Sequence, residues 1–314
     1  MIRFSNGHTF EYMTASGALS FDGKGWPWEQ PWRWLGLLDP ALFTSVIKTL
    51  TLRPMEGNLR WYNPFRCVRL INNGVVNAVG LSNPGVNWWC KKIGPSVNSA
   101  KIPLIASIFG EPDELAEMAK LLNNFDLVGI EINASCPNAE ICVLRDTAKV
   151  IASCEAAKAN SRLPLILKVS VTHDIQQIVK AVENVVEAIS INSIPWTIVF
   201  PNRRSPLETF GGGGVSGKAV QPFTWSLAQK LTELTIIPII WPSIWDFNDI
   251  EKSQESWRKS CQLRLGFHVP PVAANTLYPK RTENKTIEGL AAPVIKDEAA
   301  FFYKKNLPSN FGSR

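Results

Sequence analysis

The segment Asp126-Leu-Val-Gly-Ile-Glu131-Ile-Asn133 is apolar and β-branched, without the polar/apolar alternation of a half-solvated strand. A strand of that kind is buried on both faces, which points to a parallel sheet covered by helices. Pro137 forbids its continuation, because a proline cannot donate to a ladder. Asn133-Ala-Ser-Cys136-Pro-Asn138 therefore stands at and just beyond a strand's carboxyl end. In parallel α/β folds that is where active sites are built, and two amides around one thiol suit chemistry on a small polar ring.

The rest of the chain repeats the strand-then-helix unit. Pro103-Leu-Ile-Ala-Ser-Ile reads as a strand, followed by a helix that opens on Pro112-Asp-Glu and carries Leu115, Met118, Leu121 and Leu122 on one face. Further pairs are expected at 127–132 with 146–159, 164–169 with 174–184, 187–192 with 222–234, and 236–241 with 246–254. Two early strands near 11–15 and 44–49 bring the row to seven. Together with a length of 314 residues, this order predicts an α/β fold, a (β/α)8 barrel whose eighth unit is irregular or missing.

Composition narrows the function classes. No apolar run reaches the ~18 residues that a membrane helix needs, and Met1-Ile-Arg-Phe-Ser-Asn-Gly-His has no signal-peptide core, so a cytoplasmic chain with no membrane partner is expected. The six cysteines have no paired metal spacing and the three histidines are far apart, which argues for free thiols and against a metal site. Residues 256–314 hold ten Lys or Arg and four Asp or Glu, which accounts for the whole net charge of +6. Residues 1–255 thus carry no excess charge for nucleic acid.

Around the Cys136 motif, five other segments follow in order: Lys48-Thr-Leu-Thr-Leu-Arg-Pro-Met-Glu-Gly-Asn58, Asn77-Ala-Val-Gly80-Leu-Ser-Asn83-Pro-Gly, Leu167-Lys168-Val-Ser, Ser190-Ile-Asn192-Ser193, and Gly211-Gly-Gly-Gly214-Val-Ser216-Gly217. This series resembles the dihydroorotate dehydrogenases, specifically the soluble class whose base is a cysteine, from about Thr14 to about Ile250. The resemblance implies FMN as cofactor and oxidation of dihydroorotate to orotate. Cys136 would take the C5 proton while the C6 hydride passes to flavin N5; a thiol has an unperturbed pKa of ~8.5 that an electropositive pocket can lower.

It further implies that Asn77, Asn133, Asn138 and Asn192, with Ser193, cage the substrate, since an amide offers both donor and acceptor without charge. Lys48 would lie near flavin and substrate, and Lys168 beside the N1 and O2 edge, where a fixed ammonium stabilises the charge left by reduction. Ala15, Ser16 and Gly17 would pack against the ring with Thr49 and Asn192. Gly213, Gly214, Ser216 and Gly217 would form half of the phosphate site. Taken singly, an Asn is more often a turn residue, a Lys a solvated surface group and a Cys an inert buried thiol; the family order is what favours the functional reading.

Two departures lie in the other half. After the seventh strand, where the family carries a glycine-rich turn, this chain has Ile239-Ile-Trp241-Pro242-Ser243-Ile-Trp245, and an indole there is expected to crowd a phosphate. From Ser256 onward the last strand and phosphate turn are not recognisable. With permitted codons for 256–278, the neighbouring reading frame can spell VGAKAVSFGSVFMYRPWRPTLY, a plausible last strand and phosphate turn. Glycine opposite Trp257 is forced, because TGG followed by C or A gives GGC or GGA. Residues 1–255 are accordingly read as the FMN barrel and 256–314 as an atypical segment, out of frame on this reading.

Two other functions fit some of these features. A tRNA dihydrouridine synthase is also an FMN barrel with an Asn-x-x-Cys-Pro-like loop, but the Asn set and the Lys48–Asn58 segment favour the dehydrogenase. A barrel remnant that has lost FMN is the non-catalytic alternative. The electron acceptor stays open between fumarate, NAD through a partner subunit and quinone, and a homodimer is compatible with the chain.

Overall fold

The computed structural model describes residues 1–60, 62–134, 146–246 and 248–255. Cys136, Asn138 and the 256–314 segment lie outside the described residues. Strands β1 (Ile2–Arg3) and β2 (Thr9–Phe10) form a small antiparallel hairpin. Strand β3 (Ser45–Val46) starts the main sheet; β4 (Val68–Ile71) and β5 (Gly74–Asn77) form a second hairpin. The sheet continues through β6 (Leu104–Ile108), β7 (Gly129–Asn133), β8 (Leu165–Val169) and β9 (Ala188–Ile191), and β10 (Ile194–Pro195) and β11 (Gly214–Ser216) follow.

The main sheet is parallel, in the order β3-β6-β7-β8-β9, with strands adjacent in sequence order. Parallel bridges extend it at both ends, Met13 to Thr44 on one side and Ile189 to Ile239 on the other. Seven consecutive barrel positions are thereby occupied, and they are the seven expected from the chain; an eighth does not lie among the described residues. Helices Pro112–Leu122, Thr147–Asn160, Ile175–Val182 and Gln221–Leu234 alternate with the strands. Residues 248–255 are also helical. No described helix is long and apolar enough to cross a membrane.

Local chemistry accounts for these elements. Helix Pro112–Leu122 begins with proline in its first turn, and Glu114 accepts from the Glu111 N–H at 3.0 Å, a reciprocal cap that satisfies otherwise orphaned donors. Its buried face is Leu115, Met118, Ala119 and Leu122, packed with Ile130 and Ile132 in the layer between sheet and helices. Each such aliphatic or Met side chain contributes about 1.5–3 kcal/mol by leaving water.

On the opposite face of the strands, Val46, Ile105, Ile166 and Ala188 fill the barrel interior over Phe4 and Phe10 of the β1–β2 hairpin. Side chains alternate with period two along a strand. The next inward positions are therefore Lys48, Ser107, Lys168 and Ser190, with Glu131 on the corresponding face of β7: a polar layer directly above an apolar one.

A four-stranded antiparallel sheet, β10-β11-β5-β4, lies outside the barrel sheet and was not expected from the chain. Its strands are two to four residues long; β4 and β5 are a local hairpin, but β11 joins β5 across a long separation, Gly214 with Asn77 and Ser216 with Val75, which no local periodicity announces. Gly213 has φ 80°, and a Cβ there would stand 2.6 Å from the Asn77 carbonyl oxygen. Glycine is needed for this close backbone approach.

Candidate active site

Four barrel strands contribute one side chain each to a buried network. Lys168 Nζ of β8 lies 2.7 Å from Glu131 Oε1 of β7, an ion pair with Glu131 1% and Lys168 7% exposed. Ser107 of β6 donates to the same oxygen at 3.0 Å, and Ser190 of β9 donates to Oε2 at 3.0 Å. Thr49 Oγ1 is 3.0 Å from Ser107 Oγ and 2.9 Å from Ser16 Oγ, and Asn133 Nδ2 donates to Thr49 Oγ1 at 3.1 Å.

The direction of this chain follows from proton counting. An ionised carboxylate only accepts, and a hydroxyl has one proton. Ser107 gives its proton to Glu131, so Thr49 must donate to Ser107 and accept from Asn133, while the single Ser16 proton is shared between Thr49 and the Ile47 carbonyl at 3.2 Å. Glu131, Ser107 and Ser190 were not singled out from the sequence as site residues. The available signal was a carboxylate inside a strand otherwise apolar on both faces, since such a group is tolerated only when paired and hydrogen-bonded.

A cavity of about 610 Å³ opens above this layer, lined by Ala15, Ser16, Lys48, Thr49, Asn77, Asn133, Lys168, Asn192, Ser193, Ser216 and Gly217, together with Glu131 and Ser190. Eleven residues from six separate sequence segments and the 15–17 loop thus meet at one place. Asn83 helps to bring two of these segments together: its amide accepts from Thr51 N–H at 3.2 Å and from Gly85 N–H at 2.9 Å and donates to the Leu81 carbonyl at 2.7 Å. Gly17, Gly213 and Gly214 are not among the lining residues. Gly17 is buried, with its carbonyl accepting from the Trp26 indole at 2.9 Å, and Gly214 sits within β11.

The same cavity extends along the seam between the strand at Met13 and the strand at Ile239, where Tyr12, Thr235, Ile237 and Ile240 join the lining. At its other end lie Trp241, Ser243 and Trp245. Ser243 takes φ 58°, a left-handed conformation that costs a non-glycine residue energy and suits glycine. The turn thus keeps a glycine-type backbone without a glycine. Its position is set by bonds to helix Gln221–Leu234: Gln221 Nε2 donates to the Ser243 carbonyl at 3.1 Å and Trp225 Nε1 to the Pro242 carbonyl at 2.9 Å.

Trp241 packs edge-on against Trp225 with ring centroids 5.6 Å apart, and its buried Nε1 has no hydrogen-bond partner. Removing an orphaned donor relieves a desolvation cost that offsets packing lost when the indole becomes the smaller phenyl. Trp241→Phe is therefore expected to lower the melting temperature less than Trp225→Phe, which loses the same ring volume and also leaves the Pro242 carbonyl unpaired at a further cost of about 1 kcal/mol. A fall in melting temperature for Trp241→Phe as large as that for Trp225→Phe would refute the assignment.

The lining suits a flavin ring better than its phosphate. Two lysines, the hydroxyls of Ser16, Thr49 and Ser193, and three amides share the wall with apolar groups such as Val79, Leu81 and Ile191, the donor-rich setting that an electron-accepting ring requires. Beside Ser216 and Gly217 the donors are fewer: Lys218, which does not line the cavity, is held by Asp246 at 3.1 Å, and the indoles of Trp241 and Trp245 are part of the wall. Burial, with the charge of Glu155 adding to it, pushes the Cys154 thiol up to about 12, and burial also raises Cys90. No group of three potential metal ligands occurs among the described residues.

Fold and site together define an α/β-barrel enzyme with its polar centre at the carboxyl ends of the strands. The chain belongs to the dihydroorotate dehydrogenase family of oxidoreductases, whose family model matches residues 35–241. It is 34% identical over 238 residues to the protein called dihydroorotate dehydrogenase B (NAD(+)), catalytic subunit, of Desulforudis audaxviator, covering 73% of each chain. The protein of the same name from Trichlorobacter lovleyi is 33% identical over 207 residues, 62% of this chain and 65% of that one. That of Caldicellulosiruptor bescii is 33% identical over 214 residues, 65% and 69% of the two chains. The matches thus span about two thirds to three quarters of these relatives.

Proposed function

We propose that the protein oxidises dihydroorotate to orotate with FMN as cofactor. The observation that carries this reading is the convergence of Lys48, Asn77, Asn133, Lys168, Asn192 and Ser193 on one cavity. FMN, when bound, supplies the hydride acceptor for C6 of the substrate. Lys168, Thr49, Ser16 and Ala15 would hold the ring, with the Lys168 ammonium at the edge that gains negative charge. Ser216 and Gly217, which line the cavity, would serve the phosphate, with Gly213 and Gly214 shaping the strand that places them.

The amides of Asn77, Asn133 and Asn192, joined by Asn138 from outside the described residues, read the alternating N–H and C=O groups of the substrate. Ser193, whose hydroxyl lies 3.5 Å from Asn192 Oδ1, completes that edge. Lys48 lies between ring and substrate positions. Cys136 receives the C5 proton. Because the named relatives are NAD(+) enzymes' catalytic subunits, we take NAD through a partner subunit as the electron acceptor.

The deciding experiment is to add dihydroorotate anaerobically to the protein equilibrated with FMN. Bleaching of bound flavin supports the reading. Bound flavin that dihydroorotate leaves oxidised would exclude it in favour of another flavin substrate, and a protein that takes up no flavin at any concentration would make it a non-catalytic barrel.

A further inference from the structure

The flavin reading gives no role to the carboxylate of Glu131, a buried acid in direct contact with a residue of the site. A carboxylate 1% exposed in the middle of a barrel is retained only where something requires it, because an apolar pair of the same volume is often no less stable. Both of its oxygens are engaged, Oε1 by Lys168 and Ser107 and Oε2 by Ser190. The ammonium it binds lines the cavity, and the hydroxyl chain it terminates ends on Asn133 and Ser16, which line it too.

We propose that Glu131 is a positioning residue that sets two edges of the site at once. It anchors the Lys168 ammonium at the wall where a flavin's N1 and O2 edge would lie. By consuming the Ser107 proton it also obliges Thr49 to donate to Ser107, leaving a Thr49 lone pair to accept from Asn133 Nδ2. The substrate-side amide of Asn133 is thereby held in one orientation by a carboxylate two residues earlier on the same strand. This inference rests on the flavin reading of the cavity, and the role assigned to Glu131 is exerted through Lys168 and Asn133.

The test is a double-mutant cycle on the midpoint potential of the bound flavin, measured at saturating FMN in the full chain with Glu131→Gln, Lys168→Met and the pair together. Acting through Lys168, Glu131→Gln shifts the oxidised-to-reduced equilibrium tenfold or more, about 30 mV for a two-electron couple, and shifts it by less than about twofold once Lys168 is methionine. An unchanged potential in the native background, or equal shifts in both backgrounds, overturns the proposal.

Ser107→Ala removes one donor from the same carboxylate and keeps the measurement available if Glu131→Gln does not fold; it should move the potential in the same direction by less. Should the protein hold no flavin, the cofactor reading fails while the positioning role is still read by nitrogen-15 NMR of lysine side chains. A slowly exchanging ammonium signal, assigned to Lys168 by its loss in Lys168→Met, is expected in the native protein and should vanish or move in Glu131→Gln. The same signal unaltered in that variant overturns it.

Discussion

Replacing Cys136 by alanine should leave flavin bound and slow its reduction by dihydroorotate about 100-fold or more, the usual scale for losing a positioned base. The expectation comes from the motif, since Cys136 lies outside the described residues, but the described part of the strand restricts where it can act. Strand β7 ends at Asn133, whose amide is tied to Thr49 at the cavity wall. Covalent geometry then keeps the Cys136 Cα within about 11 Å of that of Asn133. Cys154 is the internal control: its thiol is fully buried and pushed up to about 12, so Cys154→Ala should leave reduction kinetics unchanged apart from any loss of stability. Single-turnover reduction, followed by flavin absorbance, separates the cases. Wild-type kinetics in Cys136→Ala would remove that residue from the mechanism.

The second large effect concerns the segment after Glu255. The chain as written should bind FMN weakly, and the chain rebuilt from about residue 256 in the neighbouring reading frame should bind it at least about 100-fold more tightly. Three described features converge on this. The sheet supplies seven barrel positions, with the strands at Met13 and Ile239 at its two ends. One continuous cavity runs along the seam between them and into the site. Trp241 and Trp245 stand on the wall of that cavity, and Lys218, the residue after Gly217, is committed to Asp246.

A strand that pairs with both edges satisfies backbone groups whose burial unpaired costs about 1–3 kcal/mol each. A restored phosphate turn adds N–H contacts to a dianion at about 1.5 kcal/mol or more each. Two such contacts already correspond to roughly 100-fold in affinity. Flavin titration of both proteins by fluorescence quenching, with sequencing of the gene across the Glu255 codon, decides the matter. Equal and tight affinity would mean that residues 256–314 are a genuine ending and that the frame argument is wrong.

Much of the barrel was legible because its signals are local. The both-faces-buried run before Asn133, the Pro112 start of a helix and the alternation of such units each depend on neighbours within a dozen residues, and strands and helices appear where those signals stand. The β10-β11-β5-β4 sheet was not legible. Val75 and Ser216 pair across more than a hundred residues, in strands too short to show a period, and the glycine run at 211–214 reads locally as a loop. Gly213 is explained only by the carbonyl of Asn77 passing beneath it.

The site divides along the same line. The sequence alone supplied the inventory of lysines and amides that line the cavity and their order along the chain, since residue type and strand polarity are local properties. Tertiary structure decided the connections. That Lys168 is held by Glu131, that Ser107 and Ser190 close the other lone pairs, and that Thr49 must donate toward the carboxylate depend on the register between neighbouring strands, which places Ser107 opposite Glu131 and Lys168 opposite Ser190. A one-residue slip would turn each of these side chains toward the helices. Hydrogen bonds are directional and short, so a list of donors and acceptors becomes a network only when the sheet has brought them within about 3 Å of one another.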